Sequence, residues 1–341
     1  MRQAFKLFLG IIGGWIPHQL LILISGQDMI LPFYHTVSDL PMPHVENVYP
    51  VRSVRRFKRD LEYLLKHFEP VGLEALKSDS PPKHSKPAML LSFDDGLSEI
   101  HDIVAPLLAA KGVPAAFFVN TDFVDNRDLF FRYKSSLILD RLKTIKYSPA
   151  VAELFQSRYH LADSSKKSIK AFLLGKTYMN RDEFDDIGKL LELDFGTFLK
   201  IKEPYMSLEQ IRTLADQGFY IGAHSKDHPL FSNLSMQDML LQYRESMEFV
   251  RREIAAGYGI FSFPFTDHGV PARFFDEIKE KDMPRLDASF GAAGLKKDPL
   301  PFHYQRIPME VGRIPASVLL KGEYLYYLAK GLARKNEIQR I

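Results

Sequence analysis

From residue 28 onward, short apolar runs alternate with stripes of helical period. Asp28 to His35 (DMILPFYH) is a strand-forming run with Gly26 before it and Ser38, Asp39 and Pro41 after it, and it reads as a buried strand. Phe57, Leu61, Leu64, Leu65 and Phe68 then recur at helical spacing, and a polar loop from Lys77 to Lys86 with Pro81 and Pro82 leads to a second strand, Ala88 to Phe93. A helix through Ile103, Leu107 and Leu108, capped by Gly112, and a third strand, Ala115 to Asn120, complete a βαβ unit.

The rhythm resumes at Ser207, which forms a capping box with Gln210 ahead of a helix running to Gly218 and a strand Phe219 to Ala223. Ser235 and Asp238 open the next helix, whose apolar positions Leu240, Tyr243, Met247, Val250 and Ile254 keep helical spacing. Ile260 to Phe265 is the following strand, and Pro271 is placed to start one more helix. Alternation of this kind predicts an α/β chain whose parallel sheet closes into a distorted or incomplete (β/α) barrel, with its active site at the carboxyl ends of the strands. The expected organisation is an apolar N-terminal helical segment over 1–26, a barrel over 27–320, and a basic C-terminal tail over 321–341. Between residues 125 and 205 the pattern turns mostly helical, with charges such as Lys166, Lys167 and Lys170, and reads as an insertion or lid. No internal repeat or low-complexity stretch is visible.

Phe5 to Ser25 is mostly apolar and follows Arg2, with Lys6 inside it, but Gly10, Gly13, Gly14, Pro17, His18 and Gln19 interrupt the run. Three readings stay open: a helical hairpin packed on the domain, an interfacial anchor using Trp15 and basic residues, and a cleaved or spanning segment. Without a clear cleavage site the expectation is a cytoplasmic protein, or one peripheral at the inner face of a membrane.

Composition narrows the chemistry. The 341 residues are 46% hydrophobic and contain no cysteine, which excludes disulfides, thiolate ligands and a cysteine nucleophile, so any metal must be held by His and carboxylate. The net charge is +3, the same as that of residues 321 to 341, so the rest of the chain is balanced and offers no field for nucleic acid.

Two polar clusters sit at strand ends. In Ser92-Phe93-Asp94-Asp95-Gly96, adjacent carboxylates leave an apolar strand; they suit a metal ligand beside a general base, or equally two acids stabilised at a helix N-terminus. In His224-Ser225-Lys226-Asp227-His228-Pro229, imidazoles four apart share one side of a helical turn and can reach one ion, although a surface pair of histidines has the same spacing. Asp95, His224 and His228 together leave coordination positions for water, as a catalytic metal site requires.

Taken together, SFDDG (92–96) and HSKDHP (224–229) resemble the first two motifs of the polysaccharide deacetylase family, also called NodB homology or carbohydrate esterase family 4. The resemblance implies Asp94 as catalytic base, Asp95, His224 and His228 as ligands of a divalent metal, most simply Zn2+, and Ser225 as a loop-holding partner. Phe263-Pro264-Phe265-Thr266-Asp267 is similar to the third motif, which implies an oxyanion role for the Phe265 N–H beside Pro264 and Asp267. The Arg that accompanies this motif in the family is absent, and Arg306 is one basic side chain able to take its place. The family's C-terminal histidine, its general acid, is also missing from residues 313–328; His35, His268 and His303 are the candidates for that role. Asp287 lies near where a fourth motif falls, or is a turn acid.

The implied activity is metal-dependent removal of N- or O-acetyl groups from a glycan, polysaccharide or glycolipid precursor. The competing readings are a carbohydrate-binding scaffold that has lost catalysis and a hydrolase of small amides. The expected partner is a carbohydrate or glycolipid, with peripheral membrane contact through the N-terminal segment and no nucleic acid.

Overall fold

Residues 29–34 and 88–93 run side by side in parallel and keep one register throughout, from Met29 opposite Ala88 to Tyr34 opposite Phe93. The computed structural model describes residues 2–77, 86–144, 149–161, 163 and 165–340; the loop carrying Pro81 and Pro82 lies outside the described residues. Each of the two strands read from sequence is split between two sheets. Their first halves, with Glu69–Pro70, form a three-stranded parallel sheet, and their second halves enter an eight-stranded one.

In chain order the eight strands are β1 (Pro32–Tyr34), β2 (Leu91–Phe93), β3 (Ala115–Val119), β4 (Tyr220–Ala223), β5 (Ile260–Ser262), β6 (Ala288–Gly291), β7 (His303–Gln305) and β8 (Ile307–Pro308). Their spatial order is β7-β6-β5-β4-β3-β2-β1-β8, and every pairing is parallel. The strands at the two ends of that order are consecutive in sequence. His303 to Gln305 pairs with Ser289 to Gly291, and one residue later Ile307 and Pro308 pair with Pro32 and Phe33. A single segment, 303–308, therefore brings both sheet edges together and makes a distorted (β/α) barrel with Arg306 at the seam.

Local chemistry accounts for the helices around it. Ser53 caps Val54–His67, Ser207 and Gln210 form the expected capping box of Leu208–Asp216, and Ser235 caps Met236–Ile254. Phe57, Leu61 and Leu64 turn one face of their helix into the core with Tyr34 and Phe93. After β2 the chain makes a π-helical turn, Ile100–Val104, before Ala105–Ala109, and Gly112 ends it at φ +63°.

The chain divides into two compact units, one of residues 1–39, 52–125 and 205–341 and a second of 40–51 and 126–204. The second is helical, built from Phe131–Thr144, Pro149–Tyr159, Lys166–Gly175, Glu183–Leu190 and Phe195–Lys202, and it also takes in Leu40–Val51, which the periodicity does not single out. Within it, buried Lys134 pairs with Asp128 and Asp185, and His44 sits between Tyr133 and Phe198.

The expected C-terminal tail is corrected. Position 321 falls inside a helix, Ala316–Leu332, that packs on the core through Leu319, Leu320 and Tyr324. Beyond it, Asn336 to Ile338 pairs with Lys297, and the Arg340 side chain, 6% exposed, bonds Asp298. A count of charges alone carries no sign of these apolar positions or of the docking strand.

Candidate functional site

The polar clusters emerge at the carboxyl ends of the strands: His35 after β1, Asp94 and Asp95 after β2, His224 after β4, the Phe263–Asp267 turn after β5 and Glu310 after β8. Four of the expected residues, Asp95, Ser225, His228 and Phe265, hold left-handed backbone (φ +71°, +63°, +64° and +58°), conformations that cost free energy at non-glycine positions and concentrate at functional sites.

Asp95 Oδ1 lies 3.2 Å from His228 Nε2 and 3.6 Å from His224 Nε2, and all three side chains are at most 5% exposed. The three ligand atoms fall within 4.8 Å of one another, so one ion can reach all of them. His224 Nδ1 is 2.8 Å from the Ser262 carbonyl and donates to it, which leaves the Nε2 lone pair facing Asp95. Burial keeps His224 neutral, its pKa pulled down to about 4 despite neighbouring Asp94. Burial works against the charge on Asp95, but the hydrogen bond and charge of His228, with His35 and His224 behind them, hold its carboxyl well below the usual range. A carboxylate and two imidazole nitrogens at this spacing suit zinc and similar divalent ions.

The loop that carries the histidines is locked from several sides. Ser225 Oγ accepts from the His228 N–H at 3.2 Å, Asn120 Nδ2 donates to the His224 carbonyl, and Gln242 joins the Lys226 N–H to the Asp227 carboxylate. The Phe265 ring stands edge-on to His228 with centroids 4.6 Å apart, and Pro264 accepts from the Thr266 N–H beneath it.

Asp94 is 2% exposed, and Arg306 grips it in a two-pronged ion pair, Nη1 and Nη2 each 2.7 Å from one carboxylate oxygen. The guanidinium also donates to Ser92, Ser262 and the Gly291 carbonyl and lies over the Phe33 ring at 4.3 Å. Burial alone raises a carboxyl; here the Arg306 charge overrides it and holds Asp94 below its ordinary value. Arg306, the basic side chain offered for the arginine absent beside the third motif, thus does reach Asp94, arriving from the barrel seam 212 residues away in sequence.

Of the three candidate acid histidines, His303 is fully buried and both ring nitrogens are engaged, by Ser289 and Asp267, so it reaches no substrate. His268 lies exposed on the turn beyond Asp267. His35, with a side chain 24% exposed, has its Nδ1 on Glu310, whose carboxylate also accepts the backbone N–H groups of His35 and Thr36 at 3.0 Å each. Burial lowers the His35 pKa, but Glu310, aided by Asp95 and Asp94, raises it to about 9. Glu310 is absent from the sequence reading; its signal is an acid placed just after a barrel strand.

Asp267 is buried 2.8 Å from Arg340 and 3.1 Å from His303, with Gln305 also donating, and so braces the turn from inside and meets no substrate. Asp267, Asp298 and His303 lie close enough to hold a metal, but Arg340 bonds both acids and fills that position. Asp287, just ahead of β6, is a turn acid that accepts from the Gly259 N–H just ahead of β5, at the ends of these strands away from the site.

A family model described as polysaccharide deacetylase matches residues 82–280, more than half of the chain. Among solved structures, the Streptococcus pyogenes deacetylase PplD in complex with acetate is 11% identical, with 86% of this chain and 97% of that chain covered and a TM-score of 0.52. A de-N-acetylase from Aggregatibacter actinomycetemcomitans is 13% identical, with coverage of 86% and 99% and a TM-score of 0.50. A polysaccharide deacetylase from Bacillus cereus is 12% identical, with coverage of 86% and 68% and a TM-score of 0.52. At these identities the likeness is one of fold. No curated protein sequence matches the chain.

Proposed function

The chain belongs to the polysaccharide deacetylase family, and from that premise we propose that it is a metal-dependent hydrolase removing acetyl groups from an N- or O-acetylated carbohydrate. The observation that carries the reading is the adjacency of two differently equipped carboxylates, Asp95 among two imidazoles and Asp94 on a buried guanidinium. When bound, a divalent ion held by Asp95, His224 and His228 supplies Lewis acidity toward water and toward the acyl oxygen.

The residues divide the remaining work. Asp94, kept ionised by Arg306, takes the proton of the attacking water. The Phe265 N–H donates to the oxyanion of the tetrahedral intermediate, its backbone held left-handed by the Pro264 turn. His35, oriented through Nδ1 by Glu310, gives a proton from Nε2 to the leaving amine or alcohol; an amine needs it more, since the amide anion is a poor leaving group. Against a scaffold without catalysis, the reading is supported by Arg306 on Asp94 and Glu310 on His35, which offer a partner for the base and a proton donor where the motifs lack their own arginine and histidine.

The test is acetate release from N-acetylglucosamine oligomers, measured from neutral to alkaline pH with zinc present and after chelation. Chelation is expected to abolish release. With its folded pKa raised to about 9, His35 keeps its proton through neutrality, so kcat should hold and then fall as pH passes about 9. Glu310→Gln removes the carboxylate that raises it, and the falling limb should move toward the ordinary histidine range near 6.5. A limb that stays in place in Glu310→Gln assigns the donor elsewhere.

A further inference from the structure

The N-terminal helix, Arg2–Ile12, is arranged inside out. Its Lys6 turns inward, with Nζ 2.6 Å from Glu323, whose side chain is 1% exposed. Phe5, Phe8, Ile11 and Ile12 turn outward, each about half exposed or more. Trp15 follows at 84%, and Leu23 and Ile24 of the next helix, His18–Ser25, stand at 77% and 60%. Water-facing helices do the reverse, and adjacent apolar side chains left out of the core in this number mark a contact surface.

Packing enforces this orientation. The first helix meets Ala316–Leu332 through two glycines: a Cβ on Gly10 would strike the Val318 carbonyl, and one on Gly322 would strike that of Lys6. The second helix is anchored by Leu21 and by His18, which is ringed by Tyr63, His67, Phe68 and Tyr324. The helices are 11 and 8 residues long and bend by 118° between them, and among the described residues no single helix is long and apolar enough to cross a membrane.

The rim identifies the occupant. Residues 2–25 contain no acidic side chain. Phe5 packs edge-on against Tyr326, and Lys330 lies over the same ring at 5.2 Å, so a tyrosine and a lysine border the apolar face. Two residues beyond Lys330, Leu332 is 90% exposed, and exposed Arg334 and Lys335 follow it. Apolar side chains within, Trp and Tyr between, and lysines outside are the chemistry of a lipid interface.

We propose that the 2–25 hairpin beds in one leaflet of a lipid bilayer, Trp15 reaching the acyl boundary and Lys330, Arg334 and Lys335 meeting headgroup phosphates. The proposal stands apart from the deacetylase chemistry, because none of these residues belongs to the site.

Trp15 is the single tryptophan, so its emission reports on this surface alone. With vesicles of phosphatidylcholine and phosphatidylglycerol, the full chain is expected to float with the lipid, and Trp15 emission should shift to the blue and be quenched by brominated acyl chains. Phe8→Glu combined with Leu23→Glu should bind about tenfold more weakly or worse, since two apolar side chains leave the lipid, while hydrolysis of a soluble acetyl ester stays at the wild-type rate. Unshifted emission with vesicles, or a double variant that floats like wild type, overturns the proposal. So does a blue shift that grows with protein concentration in the absence of lipid, which would make the surface a contact between two copies. Loss of ester hydrolysis by the wild type would count against the catalytic reading only.

Discussion

Asp94→Asn is expected to lower acetate release by about a thousandfold, the middle of the range for losing a positioned general base. The substitution keeps the shape of the side chain but removes the proton acceptor, and its three neighbours Asp95, His224 and His228 are untouched. Zinc content should therefore stay at the wild-type level while turnover collapses. The variant also leaves the Arg306 guanidinium, 1% exposed, without its counter-charge, so a stability loss of about 3 kcal/mol accompanies the kinetic one. Activity within a few fold of wild type would show that the proton goes elsewhere. Loss of zinc together with activity would make Asp94 a ligand instead of the base.

The second large effect belongs to Arg306→Ala. This side chain joins the seam of the barrel to its centre, bonding β2 through Ser92 and the adjoining Asp94, and β5 through Ser262. Removing it leaves a buried carboxylate without its paired guanidinium, at a cost of about 3–5 kcal/mol near neutral pH. The pH dependence separates this charge effect from the loss of volume. In the wild type the Asp94 pKa is depressed in the folded state, so its stabilising contribution is present above the unfolded value and is lost as pH falls through the folded one. In Arg306→Ala burial dominates and the folded pKa rises above the unfolded value, so the penalty is felt at neutral pH and fades on acidification. The gap in Tm between the two proteins should narrow as pH falls from 7 toward 4. A gap constant over that range would mean that Arg306 contributes packing alone. Turnover should fall as well, because the base loses the partner that orients it.

The parts of the fold and site that are legible in sequence are those whose cause is local. Strand runs, helical stripes and the Ser207–Gln210 box are each set within a few residues, and both polar clusters sit at strand ends because polar residues there leave a buried strand for the open end of the barrel. The groups that complete the site are assembled by topology. Arg306 reaches Asp94 across 212 residues and Glu310 reaches His35 across 275. Both follow from the placement of 303–308 between β6 and β1, a pairing that no periodicity announces. Beside the third motif itself the sequence shows no arginine, and the one that pairs with Asp94 comes from the segment where the two edges of the sheet meet. The same topology explains Arg340, which braces Asp267 from 73 residues away while counting, in the sequence, as one more charge in a basic tail. The inward Lys6 and outward Phe8 are equally hidden: the interrupted apolar run of 5–25 suggests helices but does not say which face meets the protein.

The central claim is that Asp95, His224 and His228 hold a catalytic divalent ion. Its most direct test is the zinc content of the purified full chain, by elemental analysis after equilibration with zinc, beside His224→Ala and His228→Ala at the same concentration. The account predicts about one ion per wild-type chain and loss of most of it in each variant, since three protein ligands are needed to keep the ion. A wild-type chain that takes up no zinc, or variants that keep a full equivalent, would contradict it.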